Sequence, residues 1–404
     1  MKKRRTIAIV AHDIGPNGGM EKHLLEMVTR LQSDMNVIVV ASSMNLGEEQ
    51  AEGIRFIRIP VIRRPIPLKT ILFAIFASIR LLFIKRDILH TTGAIVWNRA
   101  DVSTVHFCHA GYRKETNNSR VRHAHSLLRK LNSWLDSSLA LMMERLIYKP
   151  SRTMMLVPLS NRIKNQCLEF FPYKETDMRV IPNGVDLQRF SPHTEAEKMA
   201  IRRELNLSET ARILLFVGGD WSRKGLEHVI AAFHKVASLY PDLQLVIVGR
   251  GSIPHYMAQV EERYKHRVLF TGVQANPEKW FTASDLFVFP TDYETFPLVG
   301  LEAAAAGLVI LSTRVGGMED LIVDGENGLF IERDAHDIAV KLDKVLGDWQ
   351  TYRSLGILAR ESVQQLTWDE TYRQMLRVYD RIHQVDSSRV LNTAVDLRSS
   401  ADES

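Results

Sequence analysis

Cysteine is almost missing from this chain. Among 404 residues only Cys108 and Cys167 occur, so there is no disulfide framework and a reducing cytoplasm is the expected setting. Long apolar runs are missing too. The most apolar stretch, 62–87, has an uncharged run of only ten residues (70–79), against the roughly 20 that a bilayer-spanning helix needs. The basic start MKKRR is followed by only TIAIVA before His12, shorter than the roughly 7–15 apolar residues of a secretory leader, and reads as a first strand. There is no Asp-x-Asp pair and no His/Cys cluster at metal-ligand spacing, so no metal and no cofactor is expected. No GxGxxG follows the first strand, and no sequence repeat of 20–50 residues is present.

What is there is an ordinary globular composition, 45% apolar and 25% charged, long enough for two or three domains. The net charge of +5 conceals an asymmetry. Residues 53–130 hold 15 Lys/Arg and 3 Asp/Glu, so the rest of the chain is net acidic. That points to an anionic surface or ligand facing the first half, with no nucleic-acid partner expected.

Apolar strand runs alternate with helical periodicity, which predicts βαβ units and parallel sheets. The first series runs TIAIVA (6–11), a helix over 20–32, NVIVVA (36–41), IRFIRI (54–59), DILHTTG (87–93), DVSTVHF (101–107), a helical stretch over 124–147 and MMLVPLS (154–160). After the turn Pro182-Asn183-Gly184 the pattern restarts with ILLFVGG (213–219), a helix over 225–237, LQLVIVGRG (243–251), RVLFTG (267–272), SDLFVFP (284–290) and LVILST (308–313). This divides the chain into domains at 1–183 and 184–366, a terminal helix over 367–384 that packs back onto the first, and a mobile tail at 385–404.

Between SDLFVFP and the run EAAAAGL (302–308) lies ETFPLVGLE, with Glu294 and Glu302 eight residues apart around a Thr-Phe-Pro turn. Strand, tight turn and helix start form the usual anion site of an α/β sheet. The whole stretch resembles the signature of the retaining, nucleotide-sugar-dependent glycosyltransferases of family 4. With the matches below, the resemblance covers roughly residues 6–383. It implies an α/β fold of two facing Rossmann-like, doubly wound domains (a GT-B-type architecture) with the nucleotide cleft between them. It also implies a UDP-sugar as favoured donor and a glycan or lipid-linked acceptor.

Carried over residue by residue, the resemblance gives Arg223 and Lys224 in FVGGDWSRKGLEHVI the leaving diphosphate. Glu302 takes the ribose hydroxyls, and Glu294 the transferred sugar and the positive charge at its anomeric carbon. Thr295 and Phe296 present backbone N–H groups, and Pro297, which has none, holds the turn. Gly18 and Gly19 let the first loop approach a diphosphate or the acceptor closely, and Glu21 reads as a first-turn helix charge. A histidine after a first-domain strand belongs near the anomeric carbon. His106 and His109 both qualify, with His106 favoured for lying nearer the strand end. Arg250, Gly251, Gly272 and Val273, at strand ends of the second sheet, could meet the base. For Glu302 the competing reading is plain N-terminal helix charge, and for Phe296 and Pro297 it is core and turn.

The stretch 62–87, bounded by Arg63, Arg64, Lys69, Arg80, Lys85 and Arg86, fits either a core helix with solvated ends or an interfacial segment on anionic lipid. The second reading gives a cytoplasmic enzyme peripheral to the inner face of the cell membrane, acting in polysaccharide, lipopolysaccharide or glycolipid synthesis. Competing functions are a nucleotide-sugar 2-epimerase of the same fold, a glycogen-phosphorylase-like enzyme and a non-catalytic membrane- or polysaccharide-binding protein.

Overall fold

The computed structural model describes residues 4–16, 18–62, 64–117 and 127–384. Arg63, residues 118–126 and the tail 385–404 lie outside the described residues.

Two six-stranded parallel sheets dominate. The first contains β1 Thr6–Val10, β2 Asn36–Ala41, β3 Ile54–Arg58, β4 Ile88–Thr92, β5 Ala100–Val105 and β6 Thr153–Pro158, in the order 3-2-1-4-5-6. The second contains β7 Arg212–Val217, β8 Leu243–Val248, β9 Val268–Gly272, β10 Leu286–Phe289, β11 Val309–Ser312 and β12 Leu329–Phe330, in the order 9-8-7-10-11-12. The orders are equivalent. Unbroken runs such as IAIV and LLFV suit strands covered on both faces, and the central strands are buried accordingly. Each sheet reverses its winding beside its first strand, between β1 and β4 and between β7 and β10. The crevice at the carboxyl ends of those strands is where such sheets take ligands.

Helices cover both faces. Helix α1 Gly19–Leu31 buries His23, Leu24, Met27, Val28 and Leu31, one stripe at helical spacing. Helix α2 Ile66–Leu82 buries Phe73, Ala74, Ala77, Ser78 and Leu81 on the opposite face of the first sheet. Helices α3 His109–Thr116, α4 Leu127–Ile147 and α5 Asn161–Phe170 complete that domain. In the second domain α6 Leu226–Val236 follows β7, and α7 Leu298–Ala305 follows β10. A buried hub anchors the second sheet. Asp285 accepts from Lys198 at 2.6 Å, Arg202 at 2.9 Å, Arg212 at 3.2 Å and the Ile213 amide at 2.7 Å.

The chain crosses between domains twice. Beyond Val185, whose amide donates to Leu366 O at 2.8 Å, it enters the second domain, and it returns through 366–368 into a helix over 368–384. Met375, Val378, Tyr379 and Ile382 of that helix join the core under β1 and β2. A Cβ on Gly184 would stand 2.3 Å from the Trp368 amide nitrogen, so only glycine fits where the two segments cross.

Candidate active site

The loop after β7 reads GGDWSRKG. Asp220 and Gly225 adopt positive φ (51° and 75°), curling the loop so that Arg223 and Lys224 reach the crevice ahead of α6. Gly218 is required here, because a Cβ would come within 2.5 Å of the Lys224 side chain. The two cations meet Glu294, which the turn after β10 delivers. Glu294 Oε1 accepts from Arg223 at 3.0 Å, Lys224 at 3.1 Å and the Thr291 hydroxyl at 3.2 Å. Arg223 also donates to Tyr293 O at 2.6 Å, and Lys224 Nζ lies 4.5 Å from the centre of the Phe289 ring.

Burial pushes the Glu294 carboxyl up, but Lys224 and Arg223 outweigh it and hold its pKa at about 2. Burial also pulls Arg223 down, yet Glu294 and Asp220 raise it overall. For Lys224 burial wins: its pKa is lowered, with Glu294 opposing and Arg223 adding to the effect. Two cations, the buried Glu294 and the half-exposed Asp220, which meets Arg223 at 3.3 Å, therefore form a preorganised charged cluster at the crevice.

Glu302 is fifth in α7 and only 8% exposed, so it is not a first-turn charge placement. Its partner comes from the other domain: Lys22 Nζ donates to Glu302 Oε1 at 2.8 Å. The turn between the two glutamates is also tied across the cleft. Thr295 donates to His106 O at 3.1 Å, Phe296 O accepts from Asn183 Nδ2 at 2.7 Å, and Asn183 Oδ1 meets His23 Nδ1 at 2.8 Å. Tyr293 donates to Cys108 O at 3.1 Å, and its hydroxyl lies 2.9 Å from Gln166 Oε1. Phe296 is 5% exposed, and Pro297 precedes the first turn of α7.

The two candidate histidines differ. His106 lies just past β5, its ring 4.7 Å edge-on from His23, and its Nε2 is buried without a hydrogen-bond partner. Burial, with His23 and His90 nearby, keeps its pKa well below the ordinary value, so the ring is neutral. His109 opens α3, and its Nδ1 lies 2.9 Å from the inward-turned Glu144, which also accepts from the His109 amide. Glu144 thus fixes His109 structurally, whereas no side chain does so for His106 Nε2.

Gly18 and Gly19 are exposed at the start of α1, the helix that carries Lys22 and His23. Gly18 has φ 107°, and a Cβ there would strike the Glu21 carboxylate. Burial raises the Glu21 pKa, and Asp13 adds to the rise. Arg250, Gly251, Gly272 and Val273 sit on the open rim at the ends of β8 and β9, away from the cationic cluster's contacts. Arg250 O is 3.8 Å from where a Gly219 Cβ would be, and Gly251 lies flat against Trp221, whose ring a Cβ would overlap.

Sequence reasoning missed Lys22, His23, Asn183, Glu144 and Arg333. Arg333 donates to Ser222 O at 2.6 Å and Pro290 O at 3.1 Å, bracing both loops that bring the charged trio together. Lys22 stood inside the glycine stretch already singled out, but nothing local announces a partner 280 residues away.

Residues 17–189 match the family model "Glycosyltransferase Family 4", and residues 197–362 match "Glycosyl transferases group 1". An uncharacterized glycosyltransferase of Methanocaldococcus jannaschii is 29% identical over 231 residues, 55% of this chain and 59% of that protein. The alignment thus spans under two thirds of that relative. The D-inositol 3-phosphate glycosyltransferase of Corynebacterium diphtheriae is 24% identical over 395 residues, 90% of each chain. Among solved structures, WaaG, a glycosyltransferase involved in lipopolysaccharide biosynthesis, superposes with TM-score 0.77 at 20% identity, covering 91% of this chain and 98% of its own. HepE from Anabaena, solved with UDP-glucose, gives TM-score 0.69 at 15% identity over 94% of this chain and all of its own. At such identities the likeness is one of fold: two Rossmann-like domains of GT-B type.

Proposed function

The chain belongs to the family-4-type glycosyltransferases, and on that premise we propose that it moves a sugar from a nucleoside-diphosphate sugar to a glycan or lipid-linked acceptor with retention at the anomeric carbon. The observation that carries this reading is the Arg223–Lys224–Glu294 cluster at the winding reversal of the second sheet. Two cations held by one buried carboxylate suit a diphosphate whose charge grows as it leaves. Arg223 offers a planar fork and Lys224 a point charge to its oxygens.

In the proposed step the bond from the anomeric carbon to the β-phosphate oxygen breaks, and its electron pair stays on the phosphate. The acceptor oxygen bonds to that carbon from the same face, and its proton passes to the departing phosphate. Glu294, ionised throughout the neutral range, stabilises the positive character at carbon. His106 Nε2 is the free ring nitrogen on the first domain's side for a sugar hydroxyl. Glu302 takes the ribose hydroxyls, exchanging Lys22 for them. The positive charge comes from side chains, so the reaction needs no metal. UDP is the favoured nucleotide, in keeping with the UDP-glucose bound by HepE.

We place the enzyme at the cytoplasmic face of a membrane, in cell-surface polysaccharide, lipopolysaccharide or glycolipid synthesis. No described helix is long and apolar enough to cross a membrane. What supports surface contact is α2, which buries one stripe yet leaves Ile66, Phe76, Ile79 and Leu82 between 42% and 72% exposed. Arg64, Arg80 and Lys85 flank them.

A melting-temperature screen against nucleoside diphosphates and their sugars tests the donor. At a hundred times Kd a ligand stabilises the fold by about 2.7 kcal/mol. UDP and one UDP-sugar should raise the melting point and that sugar should be transferred. Failure of every nucleotide to do so would sink the proposal.

A further inference from the structure

Helix α4 turns a largely apolar face to solvent. Leu131, Trp134, Leu135, Met142 and Leu146 are between 44% and 54% exposed, and their spacing puts them on one side of the helix. Near the C-terminal end this face meets α3 in a groove of about 420 Å³, lined by Arg113, Ser138, Leu141, Met142, Arg145 and Leu146. Two guanidiniums frame an apolar floor, and none of these lining residues is acidic. The neighbouring carboxylate, Glu144, is 3% exposed and spent inward on the amides of His109 at 2.8 Å and Ala110 at 3.2 Å. It does not neutralise the groove.

We propose that this groove binds the phosphate-bearing headgroup of an anionic bilayer phospholipid. The two arginine forks clasp phosphate oxygens, and Leu141, Met142 and Leu146 take the first methylenes of the acyl chain. Charge complementarity selects the headgroup, because a planar guanidinium matches phosphate geometry with paired hydrogen bonds. The apolar floor selects an amphiphile over a free ion or a sugar. The occupant is further specified by position: α4 packs beside α2, whose exposed face carries the membrane contact proposed above, and this inference rests on that reading. Together the two helices give a general attachment from α2 and a headgroup-specific one from the α3–α4 groove.

The test keeps charge and removes geometry. Full-length wild type and an Arg113→Lys/Arg145→Lys variant are sedimented with phosphatidylcholine vesicles containing one-third phosphatidylglycerol, and titrated with soluble dihexanoyl-phosphatidylglycerol. The variant should lose about tenfold in vesicle affinity and its saturable binding of the short-chain lipid, because lysine lacks the fork. Its circular dichroism and its melting shift with UDP should match wild type. Equal binding by both proteins would overturn the groove and leave the membrane reading standing. Competition by inorganic phosphate as strong as by the short-chain lipid would make this a free-phosphate site and overturn it too. A wild type that ignores the vesicles at low salt would end both.

Discussion

The two sheets share one strand order but keep opposite polar chemistry beneath it. In the first domain the buried titratable groups around the crevice are mainly histidines, with Glu144 turned inward against His109. Burial drives His12 and His23 down to about 4 and His90 to about 3, so all three are neutral, as is His106. In the second domain the buried groups are charged and paired: Glu294 with Arg223 and Lys224, Asp285 with Lys198, Arg202 and Arg212. Topology supplies two equivalent crevices. On the reading proposed above, side-chain charge selects the second of them for the leaving diphosphate.

The sharpest way to break this contrast is to empty the buried hub. Asp285→Ala leaves the Arg202 charge with backbone carbonyls but no carboxylate in the second core and should cost about 3–5 kcal/mol. Denaturant unfolding followed by hydrogen exchange should locate the loss in the second domain. A change under about 1 kcal/mol would mean that the paired charges are not what anchors that sheet. Next in size is the proposed diphosphate pair. Arg223→Ala or Lys224→Ala removes one preorganised cation and should lower kcat by about 10²–10³ with the fold intact. A double alanine variant of full activity would remove the second crevice from the chemistry.

Acid should separate the domains in order. The histidines have folded pKa values below their ordinary 6.5, so they favour the fold fully above pH 6.5. Their contribution is lost as pH falls toward 4 and 3. Each buried histidine costs up to about 1.4 kcal/mol per pH unit in that window. Glu294, held at about 2, is lost only below its ordinary 4.5. Domain-resolved hydrogen exchange between pH 7 and 4 should therefore show the first domain loosening first; the reverse order would contradict the contrast. A smaller effect is expected from Glu302→Ala. Losing hydrogen bonds from a charged group to the ribose should weaken nucleotide binding about tenfold by calorimetry, with turnover at saturation nearly kept. Unchanged affinity would remove the ribose from Glu302. The smallest effect is none at all: transfer should proceed unchanged in excess chelator, and loss reversed by Mg²⁺ would show that the cationic pair does not suffice.

The parts legible from sequence are those written in local pattern. The continuous runs TIAIV and RILLFV could only be buried parallel strands, and Arg223 and Lys224 stand in a loop between a strand and a helix whose periodicities are plain. Leu329–Phe330 is too short to show a period, and it was not anticipated as a sixth strand. Glu302 reads as a helix-start charge because Pro297 sets the true start five residues earlier, a boundary that apolar Leu298–Leu301 do not announce. The partners are the least legible layer. Glu144 for His109, Asn183 for His23 and Lys22 for Glu302 are brought together by packing across 35 to 280 residues, and a spacing rule has no access to that.

The crossing at Gly184 also has a mechanical consequence. Both covalent links between the domains pass through one spot, pinned by the Val185–Leu366 hydrogen bond and closed to any side chain at Gly184. Two links at a single point resist sliding of one domain over the other and leave rotation about that point as the motion that strains them least. Displacement then grows with distance from the pin. Contacts beside it, such as Asn183 with His23, stay nearly still. Asn161 with Asp320 and Arg162 with Glu319 are further ties across the cleft that such a rotation would have to break.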